Sequence, residues 1–207
     1  MKPLIEQRRE NYRNTQRYKL KKDSFSIIAN DCVGTFIYHD LGRRFLTPTI
    51  NMFFESYNDY LEFLENINYY VNKVPQQIES TVDYPVGVIS RDNKTITLRF
   101  MHYKTFDEAK DKWVERGKRI NFNKLIVFWN CASKDGPSPD LFNRFIKLPF
   151  KNKYIITGKR FKGENVIALK VFDNKYFAGK LFKYKNRFAK KRYLDDVKYV
   201  DLINQII

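Results

Sequence analysis

Phe25-Ser26-Ile27-Ile28-Ala29-Asn30-Asp31-Cys32-Val33-Gly34-Thr35-Phe36-Ile37-Tyr38-His39-Asp40-Leu41-Gly42 changes character once, at Asn30-Asp31-Cys32. The residues before that point are apolar and β-branched or aromatic, in a run short enough for a buried strand. After it, Val33, Phe36, Ile37 and Leu41 fall at helical spacing, and Gly42 suits a helix C-cap. A strand feeding a helix through a short polar turn is half of a βαβ unit, and in open α/β sheets ligands gather at the carboxyl ends of strands. Free backbone N–H groups at the helix start would favour an anion. Gly34 would let a ligand approach the backbone closely. The plainer reading is an Asx-turn and a buried cysteine that only start a helix.

The same grammar repeats along the chain. Upstream, residues 3–20 read as a basic helix with Pro3 at its start, Leu4, Ile5, Tyr12 and Tyr18 on a thin apolar stripe, and Arg8, Arg9, Arg13 and Arg17 elsewhere. Such a helix either packs weakly on the body, largely solvated, or lies on an acidic surface or membrane; the thin stripe favours the first. Downstream, Ile50–Phe54 reads as a short strand, and Ser56 as the N-cap of a helix running to about Asn72 and ended by Val74-Pro75. Tyr84–Ile89 and Thr95–Met101 pair as a β-hairpin across a polar turn, and Thr105 caps a helix to about Arg119. Leu125–Trp129 is the clearest core strand. It runs into Asn130-Cys131, a second apolar strand ending in Asn. Ser138-Pro139 opens a helix to about Phe145, Lys153–Thr157 and Asn165–Val171 are strands, and a helix carrying Leu194, Val197, Val200, Leu202 and Ile203 closes the chain.

These elements predict an α/β protein: a single three-layer domain with a mostly parallel central sheet and a β-hairpin, covering 23–207 behind a basic N-terminal helix at 1–22. The 207 residues suit one sizeable domain. No apolar run reaches membrane-spanning length, and the N-terminus lacks the apolar core of a secretory signal. Two cysteines, Cys32 and Cys131, do not form a disulfide framework and point to reduced thiols in a cytoplasm. The net charge of +16 is uneven. Residues 1–22 carry a net +6, and residues 150–192 hold fourteen Lys/Arg against Glu164 and Asp173, a net +12. The body between them is neutral. Basic segments of this kind attract phosphates, in a small molecule, an anionic membrane or a nucleic acid.

The common catalytic signatures are absent: no P-loop, no dinucleotide fingerprint, no nucleophile elbow, no zinc helix. Scattered cysteines and histidines make no metal centre, so no metal is expected, although a lone Asp31 or Asp135 could hold magnesium with waters. The sequence leaves the cofactor open. What remains is polar residues at strand ends: Asn30, Asp31 and Cys32; His102; Asn130, Cys131 and Asp135. If the strands run parallel, these share one edge. The crevice would then offer a base (His102 or Asp31), an orienting carboxylate (Asp135), and Arg116 with Arg119 for a phosphate. Each has a plainer reading: a structural histidine, buried thiols, and arginines paired along their own helix.

Several short motifs, taken together and in order, also resemble a bacterial exopolysaccharide and capsular polysaccharide biosynthesis family of undefined mechanism. They are Ile28–Gly34 with Tyr38, Leu41-Gly42 and Thr47-Pro48; Asp59-Tyr60; Tyr84–Gly87; His102-Tyr103; Ala109, Lys112-Trp113, Arg116 and Arg119–Asn121; Asp135-Gly136; Leu148–Phe150; and Lys191-Arg192-Tyr193 with Tyr199-Val200. The chain departs from that pattern at Asp31, Val33 and Lys190. The resemblance implies an α/β protein of surface-polysaccharide assembly and supplies no reaction. On its motifs, Tyr38, Tyr103, Lys191 and Arg192 join Asn30, Cys32, Gly34, Arg116, Arg119 and Asn130 as ligand-contact candidates. The function expected is a transferase acting on a nucleotide-sugar or lipid-linked sugar, with His102 as general base and the basic C-terminal third on the donor phosphate or the inner leaflet. The alternative is an accessory, carbohydrate-binding protein whose Trp129 and Tyr103 stack on sugars. A nucleic-acid partner rests on charge alone, without a recognition motif.

Overall fold

Ser26–Ala29 forms β1, with all four residues buried. It lies parallel to β6 (Leu125–Asn130), Ile27 opposite Ile126 and Ala29 opposite Phe128. β7 (Asn152–Thr157) and β8 (Val166–Ala168) continue the sheet in the order β1-β6-β7-β8, every pairing parallel. This is a computed structural model that describes residues 4–173 and 178–206. Pro3 and Ile207, at the ends of two expected helices, lie outside them.

Strand alternation sorts the core into two layers. Ile27, Ala29, Ile126, Phe128 and Ile156 face one side, where they meet Val33, Ile37 and Leu41 of α2 (Val33–Leu41) and Val200 and Ile203 of α7 (Tyr199–Asn204). Ile28, Val127, Trp129 and Ile155 face the other side, toward α3 (Tyr57–Glu65), α5 (Phe106–Gly117) and α6 (Pro139–Lys147). A parallel sheet covered on both faces has the near-continuous apolar strands that Leu125–Trp129 displayed in the sequence.

The expected hairpin is present as β4 (Val86–Arg91) and β5 (Lys94–Arg99), turning through Asp92 at φ 53°. It belongs to a second, separate sheet, ordered β2-β5-β4-β3 and wholly antiparallel, with β2 (Phe53–Phe54) and β3 (Gln76–Gln77) at its edges. Its Ile89, Ile96 and Leu98 pack into the same layer as α3 and α5. The Ile50–Phe54 strand therefore shrinks to two residues.

Local signals set most boundaries. Ser56, Thr105 and Ser138 each accept from the backbone N–H three residues on, and Gly42 ends α2 in the left-handed region at φ 63°. Two expected helices are broken. The Asn66 side chain takes the Glu62 carbonyl at 3.3 Å and its carboxylate at 2.9 Å, and a second short helix, α4 (Ile67–Tyr70), starts beyond it. At the C-terminus Lys198, at φ 53°, separates a 3-10 turn over Tyr193–Val197 from α7.

The largest departure is α1 (Leu4–Lys19), which is not a weakly held solvated helix. Arg9 is 1% exposed. Its guanidinium pairs with Asp40 at the end of α2, reaches Asp195 Oδ2 at 2.5 Å and donates to the Lys190 carbonyl at 3.1 Å. Arg13 Nε donates to Asp40 at 2.7 Å. Burial alone would lower Arg9's pKa, but the hydrogen bond to Asp195 and the charges of Asp40 and Asp195 outweigh it, so the group stays firmly cationic. A buried cation between two buried carboxylates thus joins both ends of the chain to α2.

Candidate functional site

The chain leaves β1 toward α2 on one face of the parallel sheet and leaves β6 toward α6 on the other. Where connections diverge from neighbouring parallel strands, the carboxyl ends of those strands are where open α/β sheets bind ligands; here the spot is closed, with Asn30 and Asp31 each 8% exposed and Asn130 fully buried. Asn30 and Asn130 lock that point together. Asn30 Nδ2 donates to the Asn130 carbonyl at 3.1 Å, and the Asn130 backbone N–H donates to Asn30 Oδ1 at 2.8 Å. The side chain of Asn30 thereby continues the β1–β6 ladder one residue past its backbone pairing.

Asp31 sits beside this pair. One carboxylate oxygen accepts from the Val33 backbone at 3.0 Å, and the other accepts from Asn130 Nδ2 at 2.7 Å. Asp31 is only 8% exposed. Burial pushes its carboxyl up to about 6, against the hydrogen bonds from Asn130 and Val33, which pull it down. It is a carboxyl group that exchanges its proton close to neutral pH, a property that marks candidate acid–base residues. Asn130 Oδ1 is buried without a hydrogen-bond partner among the described residues. An orphaned acceptor beside a titrating carboxyl can receive a substrate hydroxyl or a water.

Two further groups lie against this cluster and carried no signal in the sequence. Tyr57, in the first turn of α3, donates its hydroxyl to the Cys131 carbonyl at 2.5 Å and meets Trp129 edge-on. Ala178, opening a 3-10 turn to Phe182, places its carbonyl 3.5 Å from Asn130 Nδ2. This sets the start of that turn against the carboxyl end of β6. The β7–β8 connection adds Lys159, Arg160 and Lys162, all exposed, at the carboxyl end of β7. Gly158 allows this, since a Cβ there would lie 2.5 Å from the Lys134 backbone.

Asn30, Asp31, Cys32 and Asn130 therefore come together as the sequence suggested, and other candidates are placed elsewhere. The two thiols are buried, Cys32 pushed up to about 12 by burial and the Asp31 charge, and Cys131 to about 11 by burial, so neither is a nucleophile. His102 is exposed beyond β5, its backbone N–H on the Asn51 carbonyl at 3.2 Å. Asp135 is exposed in the loop after β6, 3.9 Å from Arg160. Gly34 serves packing: a Cβ there would touch Ile27 and Ile50 at 3.4 Å.

Tyr38 is fully buried, its hydroxyl bridging the Phe25 carbonyl and the Ile27 N–H at the opposite end of β1. Tyr103 donates to the Ile50 carbonyl at 2.9 Å and accepts from Arg116 at 2.6 Å, while Arg116 also lies over the Phe45 ring. Arg119 bonds the Phe45 carbonyl at 3.3 Å and pairs with Glu115. These arginines hold the 43–50 connection against α5. Arg192 lies 3.5 Å from Asp40 and over the Phe36 ring, and Lys191 over the Tyr12 ring, both at the α1 junction. Among the described residues, no group of three or more His, Cys, Asp or Glu is placed to hold a metal ion.

Comparison with known proteins adds a family without a reaction. The family described as "Domain of unknown function (DUF1919)" matches residues 5–204. A protein of Haemophilus influenzae, described as an uncharacterized protein, is 31% identical over 191 residues, covering 92% of this chain and 89% of its own length. This corrects the resemblance drawn from short motifs. The match is to a family of unknown function, and neither finding ties the chain to exopolysaccharide or capsule biosynthesis.

Proposed function

The chain belongs to the DUF1919 family, which carries no assigned reaction, and from the site itself we propose that it is a transferase acting on a phosphate-bearing sugar, with Asp31 as the general base. The observation that carries this reading is the buried Asp31 carboxyl, poised at about 6 beside Asn130 at the carboxyl ends of β1 and β6. As carboxylate, Asp31 takes the proton of an acceptor hydroxyl. The freed oxygen attacks the donor carbon, and the carbon–oxygen bond to the phosphate breaks with its electron pair leaving on the phosphate. Asn130 orients the carboxylate through its 2.7 Å hydrogen bond and leaves Oδ1 for a substrate donor. Lys159, Arg160 and Lys162 at the same sheet edge offer cations to the leaving phosphate. The turn beginning at Ala178 must move for substrate to reach Asp31. Two unpaired buried thiols suit a cytoplasmic setting.

The carbohydrate-stacking alternative loses its aromatics. Trp129 is fully buried and Tyr103 has its hydroxyl and ring engaged in the core, so neither ring has a face free for a sugar. The test is a thermal-shift panel of nucleotide-sugars and sugar phosphates, followed by turnover of the stabilising compound. Stabilisation follows the logarithm of ligand concentration over Kd. Asp31→Asn should keep the shift and lose turnover. No stabilisation by any phosphate-bearing sugar, or full turnover in Asp31→Asn, refutes the reading.

A further inference from the structure

We propose that the face built by α1 and the hairpin Tyr184–Arg192 docks the protein on an anionic lipid bilayer. Nothing in this depends on the catalytic reading. The hairpin is closed by the Tyr184–Arg192 bridge and by Lys185 N–H on the Lys191 carbonyl at 3.1 Å, and its turn is tightened by Phe188 N–H on Asn186 Oδ1 at 2.9 Å. Phe188 stands at the tip, 64% exposed, with the Arg187 guanidinium 4.5 Å from its ring centre. On α1, Leu4, Asn11, Thr15 and Tyr18 share one stripe at helical spacing, with Leu4 63% and Tyr18 92% exposed. Among the described residues, three of the seven exposed large hydrophobic side chains are thus on these two elements.

The two elements meet at a cavity of about 410 Å³, between Tyr12, Thr15 and Lys19 of α1 and Lys190, Lys191 and Lys198 of the C-terminal segment. Asp195 and Asp201 also line it, but the Asp195 carboxylate is turned to Arg9. Tyr12 lies beneath Lys191, and burial raises its phenol pKa, so it stays a hydrogen-bond donor. This is where the net +6 N-terminal segment meets the net +12 C-terminal third. The buried Arg9–Asp40–Asp195 pairs fix the helix against that segment, so helix and hairpin act as one face. Isolated aromatic and aliphatic tips set among cations match a bilayer interface, which receives rings at headgroup depth and cations at its anionic surface. The cavity between them suits a phosphate headgroup.

The test is flotation of the full-length protein with phosphatidylcholine vesicles, with and without phosphatidylglycerol. The protein should bind only the anionic vesicles and be released by high salt. Lys190→Ala with Lys191→Ala should weaken partitioning by about fivefold per lysine. Phe188→Ala should weaken it on the order of tenfold. These side chains are exposed, so the thermal midpoint should not move, which separates lost docking from lost folding. Absence of binding to anionic vesicles at low salt overturns the proposal, and so does binding indifferent to Phe188→Ala. Retention of a single-stranded oligonucleotide with the same lysine dependence, without vesicle binding, makes this a nucleic-acid face and also overturns it.

Discussion

Arg9→Met removes the cation between two carboxylates whose side chains are fully shielded from solvent. The methionine fills much of the volume, so the loss is mainly electrostatic. Breaking a buried pair by deleting one partner costs about 3–5 kcal/mol, because a charge is left uncompensated. Here the lower end applies. Asp40 keeps Arg13 at 2.7 Å, and Asp195 keeps the Arg192 backbone at 2.6 Å and the Tyr199 hydroxyl at 3.3 Å. About 3 kcal/mol in a chain of this size lowers the thermal midpoint by roughly 6–12 °C. The assay is urea unfolding of wild type, Arg9→Met, Asp195→Asn and the double variant. If the penalty is an orphaned charge, the double variant should cost less than the sum of the singles by more than about 1 kcal/mol. Limited proteolysis should also release α1 earlier in Arg9→Met. A loss below about 1 kcal/mol with additive singles would show that Arg9 does not hold α1, and would refute the account of how the two chain ends are joined.

Three other outcomes follow from the site. Asp31 has its folded-state pKa raised from 3.8 to about 6, so the folded chain keeps a proton that the unfolded chain has lost. Stability should therefore fall by about 3 kcal/mol as pH rises from about 4 to about 6 and then level off, and Asp31→Asn should remove that slope in urea titrations. A slope unchanged in the variant places the proton elsewhere. Cys32 and Cys131 should resist a thiol reagent in the native protein at pH 8 and both react in urea, since their thiols titrate at about 12 and 11; rapid native labelling would contradict their burial. Gly158→Ala forces a Cβ to 2.5 Å from the Lys134 backbone, so the loop after β6 must shift. Overpacking of this kind costs about 1–3 kcal/mol, measurable as a lower urea midpoint, and a neutral result would show that the loop yields freely.

Local chemistry in the sequence was enough for the strand–turn–helix at Ser26–Leu41, the three helix N-caps, the β4–β5 hairpin and the parallel core around Leu125–Asn130. Each depends on residues within a few positions of one another: an apolar run, a capping side chain, alternation across a turn. The pairing of Asn30 with Asn130 was half visible, as two apolar strands both ending in Asn. That the two side chains and backbones would lock together follows only from adjacent parallel strands ending level.

The rest was decided by contacts distant in sequence. Arg9 reads like its neighbour Arg8, yet partners 31 and 186 positions away bury one and leave the other exposed. Arg116 as a phosphate contact, Tyr38 as a motif position and Trp129 as a sugar-stacking ring were all expected to meet a ligand, and the fold buries all three within its core. Asp31 is an ordinary acidic residue by composition, and its shifted proton affinity arises only where β1, β6 and the turn at Ala178 close around it. Helices and strands were legible because their signals are local. Charge pairing, burial and proton affinity were not, because desolvation depends on everything that packs around a group.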